Sequence, residues 1–267
     1  VHTKSMIPAK TAVSGDIGLI ASRLFIEQPI LKNKASFWIA GRRTYIDQVL
    51  RTVGEELPYF FYDFNGKILF KPTSRDDIQF SYYRGDDILD LFRDRDGDGD
   101  GFLTTYASGN SSQSLRWRRQ LRNNWYSTIS LARTKYHYNI RNAFEENELL
   151  AHSDIEDYSA RLLLQNDSIG RGTLKTGLDW IRHQVSPSII NTAGTIAEVF
   201  ESSFANGRAA DEFAVHLQYE WSANKRIQVT PGIRVSSAVV PSKNYLFPEP
   251  RLSVRYALND NEAMKMR

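Results

Sequence analysis

From 211 to 223 apolar and polar side chains alternate strictly. Phe213, Val215, Leu217, Tyr219 and Trp221 take one parity, and Glu212, His216, Gln218 and Glu220 the other. A period of two points successive side chains to opposite faces of an extended strand, so one side of this segment is greasy and the other wet. The next run repeats the rule, with Ile227, Val229, Ile233 and Val235 against Gln228, Thr230, Arg234 and Ser236. The Ala-Asn-Lys turn at 223–225 joins the two runs into a hairpin. Phe60, Tyr62, Phe64, Ile68 and Phe70 alternate in the same way with Asp63, Asn65 and Lys67, and Leu115 and Trp117 with Ser114, Arg116, Arg118 and Gln120. Near the end Leu252, Val254, Tyr256 and Leu258 alternate with Arg251, Ser253 and Arg255. Two earlier strands are expected at 17–27 and 35–47, where the alternation is less regular.

The connections between these runs sort into two lengths. Short ones are expected at 31–34, 71–76, 122–124, 167–172, 223–225 and 259–261, and longer, more polar ones at 49–58, 91–111, 141–151, 186–210 and 238–248. Short and long alternate throughout. A meander with tight turns at one end and long loops at the other is the pattern of an up-and-down barrel crossing an outer membrane, with the long loops facing outside. A soluble sandwich has Greek-key crossings and no reason to segregate loop length. The fold expected is therefore all-β, an antiparallel up-and-down transmembrane β-barrel, with roughly twelve strands of about 10 to 14 residues, long enough to cross a bilayer at a tilt. Tyr59 to Tyr62, Tyr82 and Tyr136 fall toward the long-loop end, and Phe70, Trp125, Trp221 and Tyr256 toward the short-turn end, as two interfacial girdles would. Cross-strand aromatic packing in a soluble sheet is the plainer alternative.

Composition narrows the classes. In 267 residues the hydrophobic share is 41%, low for a thick apolar interior, while aromatic residues reach 12%. The net charge of +3 arises from 34 basic and 31 acidic residues spread along the chain, so no block marks a nucleic-acid footprint and no nucleic-acid partner is expected. Without cysteine there is no disulfide framework, thiolate zinc site or thiol nucleophile. No run approaches the roughly 18 consecutive apolar residues of a transmembrane helix, and the opening VHTKSMIPAK lacks the apolar run of a signal peptide. Barrel strands give a much weaker hydropathy signal per segment, so this does not count against a membrane.

The segment GDIGLIASRLFIEQPILKNKASFWIAGRRTYID at 15–47 resembles the early barrel strands of TonB-dependent receptors of Bacteroidetes-type bacteria. The family pattern is a strand ending in a Gly- or Gln-Pro pair, a Lys-rich turn, then a Ser-Phe strand closing on Arg-Arg-Thr-Tyr. Pro29, Lys32, Lys34, Ser36, Phe37, Gly41, Arg42, Arg43, Thr44, Tyr45 and Asp47 match it. The segment at 58–87, PYFFYDFNGKILFKPTSRDDIQFSYYRGDD, is similar to the next hairpin of that family. The resemblance is close in the first third and mainly one of rhythm afterwards. It implies a plug domain inside a barrel of about 22 strands and a short TonB-contacting box. Residues 1–267 are accordingly expected to be part of the barrel domain, with plug, box and later strands outside this sequence.

The sharpest local motif is DRDGDGDGF at 94–102. Asp at alternate positions followed by Gly is how a short loop wraps oxygen ligands around calcium, and Asp94, Asp96, Asp98 and Asp100 are the candidate Ca2+ ligands. The twelfth position counted from Asp96 is Ala107 and not Glu, and a solvated acidic surface loop is the plainer alternative. Asp86, Asp87 and Asp90 could supplement the cluster. Arg116, Arg118, Arg161, Arg234, Arg251 and Arg255 all fall on polar parities, where they would line the lumen and attract anionic substrate or pair with plug carboxylates. His137, His152, His183 and His216 show no metal-ligand spacing. Serines abound, yet no motif singles one out as a nucleophile, so no enzyme is expected.

What the resemblance implies is an integral outer-membrane receptor. It would take up a siderophore, vitamin, glycan or peptide with energy from the TonB complex, amid lipid and lipopolysaccharide and in some members under a surface lipoprotein lid. A passive or structural outer-membrane barrel and a soluble all-β binding module are the alternatives.

Overall fold

The computed structural model describes residues 6–52, 54, 58–93, 101–122, 124–198, 207–224, 226–259 and 262–266. Among them thirteen strands form one antiparallel sheet whose spatial order is the sequence order. They are β1 (Ala12–Ile17), β2 (Ala21–Leu31), β3 (Ala35–Thr44), β4 (Tyr59–Phe70), β5 (Asp76–Arg93), β6 (Phe102–Gln120) and β7 (Trp125–Phe144). There follow β8 (Asn147–Ile169), β9 (Gly172–Ala193), β10 (Arg208–Ser222), β11 (Ile227–Val240), β12 (Lys243–Ala257) and β13 (Ala263–Met266). One short helix, α1 (Ile46–Arg51), lies between β3 and β4. Every pairing is between sequence neighbours, which is the up-and-down meander of a barrel wall.

Directly paired residues share a face, so the register sorts the side chains into two surfaces. Across β5 to β11, Ile78, Trp117, Ile129, Leu162, Leu178, Val215 and Val235 form one continuous cross-strand row. A parallel row holds Phe80, Leu115, Leu131, Ala160, Trp180 and Phe213. The opposite face carries Gln79, Arg116, Ser130, Arg161, Asp179, Ala214 and Ser236. The greasy rows are not covered: Leu178 is 52% exposed, Val215 53% and Phe213 49%. Among the described residues only Ala35, Leu69 and Ala214 are buried hydrophobics. The total accessible surface is 18369 Å², against roughly 11,900 Å² for a compact globular chain of this mass. A wall of this kind has no internal core, and its apolar face requires an apolar medium.

The apolar band crosses the strands obliquely. On β4 the outward residues Phe70, Ile68, Gly66 and Phe64 have their centre near Gly66. Following hydrogen-bonded partners from Gly66 leads through Tyr82, Gln113, Arg133, Tyr158 and Arg182 to Asp211 on β10. On β10, however, the outward residues Phe213, Val215, Leu217, Tyr219 and Trp221 have their centre at Leu217, six residues further along. Six residues amount to about 20 Å of stagger, accumulated over six strand spacings of about 4.8 Å, so the strands tilt by about 35°. That is the tilt at which sheets close into membrane barrels.

The hairpin at 211–236 lies where the alternation put it, and strands flank all six expected short connections, the one at 167–172 shortened to 170–171 because β8 runs to Ile169 and β9 starts at Gly172. Two of these turns, like one on the opposite side, use non-glycine residues with positive φ: Asn33 (58°), Asn124 (62°) and, opposite, Glu145 (52°); the turn between β8 and β9 uses Gly170 (59°). Other expectations change. The described sheet has thirteen strands against the roughly twelve expected, and β8 reaches 23 residues against about 10 to 14. The polar stretches at 141–151 and 238–248 are not loops. Phe144 pairs with Asn147 across a two-residue turn, and Val240 with Lys243 across another. Much of 91–111 and 186–210 is strand as well. These segments are polar because the strands run past the apolar band, where both faces meet water. The first expected strand, 17–27, is β2 starting at Ala21, with β1 ahead of it, and the strand at 35–47 ends at Thr44 because α1 begins.

Candidate functional site

On the polar face five strands contribute one alternating chain of charge. Asp179 of β9, only 7% exposed, accepts from Arg161 Nε of β8 and, at 2.9 Å, from Arg234 Nη1 of β11. Arg234 Nε lies 3.9 Å from Glu249 of β12. Glu249 in turn accepts from Arg251 Nη2 at 2.6 Å and from Ser236 Oγ at 2.7 Å. His216 of β10 fits under this chain, its Nδ1 3.7 Å from Asp179 Oδ2 and buried without a hydrogen-bond partner. Gly177 makes the fit possible, since a Cβ there would come within 2.5 Å of the His216 ring. Alternating signs let each guanidinium serve two carboxylates or each carboxylate two guanidiniums, which ties adjacent strands together through a partly dehydrated surface.

Below the chain, toward the short turns, a polar hollow of about 620 Å³ is lined by Gln218, Glu220, Gln228, Arg251, Arg255 and Lys265. Lys175 pairs with Glu220 at 2.5 Å. Arg255 and Lys265 have no carboxylate partner among the described residues, so the hollow is cationic. Arg116 and Arg118 on β6 add positive charge at the same height, Arg118 lying 4.9 Å over the Tyr126 ring. All six arginines singled out by parity are therefore on one face. Three of them (Arg161, Arg234, Arg251) belong to the ion-pair chain, and three do not.

Toward the long connections the polar face becomes aromatic. Tyr136 and Tyr138 of β7 lie with ring centroids 6.5 Å apart, and Tyr59 donates to Asp87 at 2.8 Å. That hydrogen bond and the charge of Asp87 hold the Tyr59 phenol above its ordinary pKa, so it stays a donor. Tyr59 and Tyr136 thus do not belong to a girdle, because they are on the polar face. Tyr62, Tyr82, Tyr158 and Trp180 flank the apolar band on this side, and Trp117, Trp125, Tyr219, Trp221 and Tyr256 on the other.

The acidic run 94–100, with Asp94, Asp96, Asp98 and Asp100, lies outside the described residues. Asp86, Asp87 and Asp90 do not converge. Asp86 turns to the apolar side, 2.9 Å from Arg84 and 3.4 Å from His137, and Asp90 accepts from Thr105 on that side, while Asp87 faces the other way. Among the described residues no group of three or more His, Asp or Glu side chains is placed to hold a metal ion. Parity alone could not single out Asp179 or Glu249, whose importance depends on partners from other strands.

The sequence model of the family described as "TonB dependent receptor-like, beta-barrel" matches residues 50–263. No curated protein sequence matches. Among solved structures the fold is similar to "Copper transporter OprC" (TM-score 0.65, 12% identity, 94% of this chain and 42% of that one). It is similar too to a ferric enterobactin receptor mutant from Pseudomonas aeruginosa (TM-score 0.65, 14% identity, 97% and 43%). A third is the ferric yersiniabactin uptake receptor FyuA from Yersinia pestis (TM-score 0.60, 13% identity, 90% and 42%). At such identities the likeness is one of fold, and this chain spans about two fifths of each of these structures.

Proposed function

Because the chain belongs to the TonB dependent receptor-like β-barrel family, we propose that it builds part of the wall of an outer-membrane receptor that takes up a nutrient with energy delivered by TonB. The observation that carries this reading is the oblique apolar band on one face, set against a charged and aromatic opposite face. The long-connection end faces the cell exterior, and the polar face lines the lumen. There the tyrosines near the long connections meet incoming cargo, and the ion-pair chain and cationic hollow beneath them border the passage.

Arg116, Arg118 and Arg255, without carboxylate partners among the described residues, attract anionic cargo or pair with carboxylates of a domain seated in the lumen. The cargo class is a siderophore, vitamin, glycan or peptide. Structures named for copper and for ferric chelates support a metal-bearing cargo within that range. The acidic run 94–100 holds a calcium ion.

The test is cell fractionation. The protein is expected in the outer membrane after carbonate washing, with a heat-modifiable band in unheated gels, and iron-chelate uptake is expected to stop when TonB is deleted. A soluble protein would sink the membrane reading, and uptake unaffected by TonB loss would sink the energised one.

A further inference from the structure

The apolar face contains a slot that a flat lipid-facing wall does not need. Ala160 of β8 sits between Leu131 of β7 and Trp180 of β9 in one cross-strand row, and its small side chain leaves a depression. A groove of about 590 Å³ opens from it toward β12, walled by Leu162, Leu178, Trp180, Phe213, Val235 and Leu246. A second, of about 350 Å³, runs from the same three residues toward Phe80 and Leu115 of β5 and β6. The two join at Leu131, Ala160 and Trp180.

The rim of the slot is charged. In the next row, toward the long connections, Tyr158 stands directly between Arg133 and Arg182. Arg133 directs Nε to Glu156 and stacks over the Tyr158 ring with its Cζ 5.7 Å from the centroid, and its side chain stays 45% exposed. Arg182 is held only loosely, its nearest carboxylate oxygen on Asp211 being 3.8 Å away. Asp211 already accepts from Trp180 Nε1 at 3.0 Å, so the wall of the slot and its rim are braced together. Two guanidiniums with spare donors, two strand spacings apart at the edge of an apolar span, are suited to bind a phosphate by charge-assisted hydrogen bonds. Basic pockets beside apolar spans recognise anionic lipid headgroups by the same physics.

We propose that this slot is a specific binding site for one anionic, phosphate-bearing lipid, its acyl chain lying over Ala160 and its phosphate held by Arg182 and Arg133. The proposal rests on the membrane reading above and adds to it a preference that ordinary surrounding lipid would not show. A bare apolar wall accepts any chain, whereas this site distinguishes headgroups.

The test uses the full-length protein in detergent, exposed to equal amounts of dioleoyl phosphatidic acid and dioleoylglycerol, with retained lipid read by native mass spectrometry. The two probes share their chains and differ only in the phosphate. The wild type is expected to retain one phosphatidic acid at least ten-fold over the glyceride, with excess inorganic phosphate failing to displace it. Ala160→Leu fills the slot and lowers retention of both at least five-fold. Arg182→Gln lowers the preference for phosphatidic acid several-fold while chain retention persists. Equal retention of the two probes by the wild type, or unchanged retention in Ala160→Leu, overturns the proposal. Displacement by phosphate alone also overturns it, because the chain would then contribute nothing. Heat-modifiable migration is recorded alongside: a barrel that retains both probes equally refutes only the lipid site, whereas a wild type with no heat-modifiable band refutes the membrane reading first.

Discussion

Leu217 and Gln218 are adjacent in β10, and the two faces of the wall make their replacement by arginine very different. Leu217 is the middle of the five outward residues between 213 and 221, four residues from either edge. At about 3.3 Å per residue and a tilt of about 35°, it lies about 11 Å from each edge of the apolar span. That exceeds what a guanidinium can cover by snorkelling without distorting the bilayer. An arginine on the lipid face near the midplane costs about 2 to 4 kcal/mol. Leu217 is 48% exposed to the surrounding medium, so losing it removes roughly half the value of a fully buried leucine, about 1 kcal/mol more. Leu217→Arg is therefore expected to destabilise by about 3 to 5 kcal/mol. Gln218 faces the polar side near Arg251, where a second cation in a wet surround costs at most about 1 kcal/mol. The assay is reversible urea unfolding of the protein in phospholipid vesicles, followed by tryptophan fluorescence. If the two variants lose equal stability, or Leu217→Arg loses less than Gln218→Arg, the assignment of faces is wrong and the band is not a membrane span.

Three other outcomes follow from the same geometry. Asp179→Asn should cost about 1 to 2 kcal/mol in that assay, since Arg161 is mostly solvated and relieves only part of the loss; a double-mutant cycle with Arg234→Gln should then show coupling of at least about 0.5 kcal/mol, and strict additivity would dissolve the charge chain. Glu145 stands at φ 52° in the two-residue turn between β7 and β8, so Glu145→Asn should stabilise by up to about 1 kcal/mol, read as a higher urea midpoint, and a lower midpoint would contradict the turn. Terbium luminescence should report an ion bound in the run 94–100 with affinity of the order of 10⁻⁴ to 10⁻³ M, lost in the triple variant Asp96→Asn, Asp98→Asn, Asp100→Asn; no signal, or one that survives in the variant, would remove calcium from the account.

The hairpin of β10 and β11 was legible because every outward residue between 213 and 221 is apolar, so the membrane itself enforces the alternation. On β7 the enforcement stops halfway. Ile129 and Leu131 share their face with Arg133, Lys135 and His137, so the parity rule loses its meaning where the strand leaves the lipid, and the stretch at 141–151 reads as a loop. The turn at its end is also disguised: Phe144, Glu145, Glu146 and Asn147 have no glycine or asparagine at the two central positions. For the polar face, parity correctly grouped the six arginines but could not say which are paired. Arg161 meets Arg234 through Asp179 because the four strands β8 to β11 are in register, and register between strands is not written in any one of them. The slot around Ala160 was invisible for the same reason, since an alanine in a strand has no significance until its neighbours are known to be Leu131 and Trp180.

Strand length then indicates where the wall does more than span. A tilted membrane strand needs about 9 to 11 residues, and β3 has 10, but β7, β8 and β9 have 20, 23 and 22. Their excess of about ten residues projects beyond the apolar band as a collar, where no lipid can stabilise the outward face. Ion pairs take its place: Arg84 with Asp86, Arg133 with Glu156, Lys135 with Asp154, and Arg141 with Glu148. Exposed pairs of this kind contribute little singly, but three of the four lie side by side on the β7–β8 ladder and help keep it paired without a core beneath it. The collar continues the wall below it, so the tyrosines at 106, 136 and 138 stand on rigid strands. A ligand that reached them would meet side chains already placed by hydrogen-bonded ladders, which lowers the ordering cost of binding there.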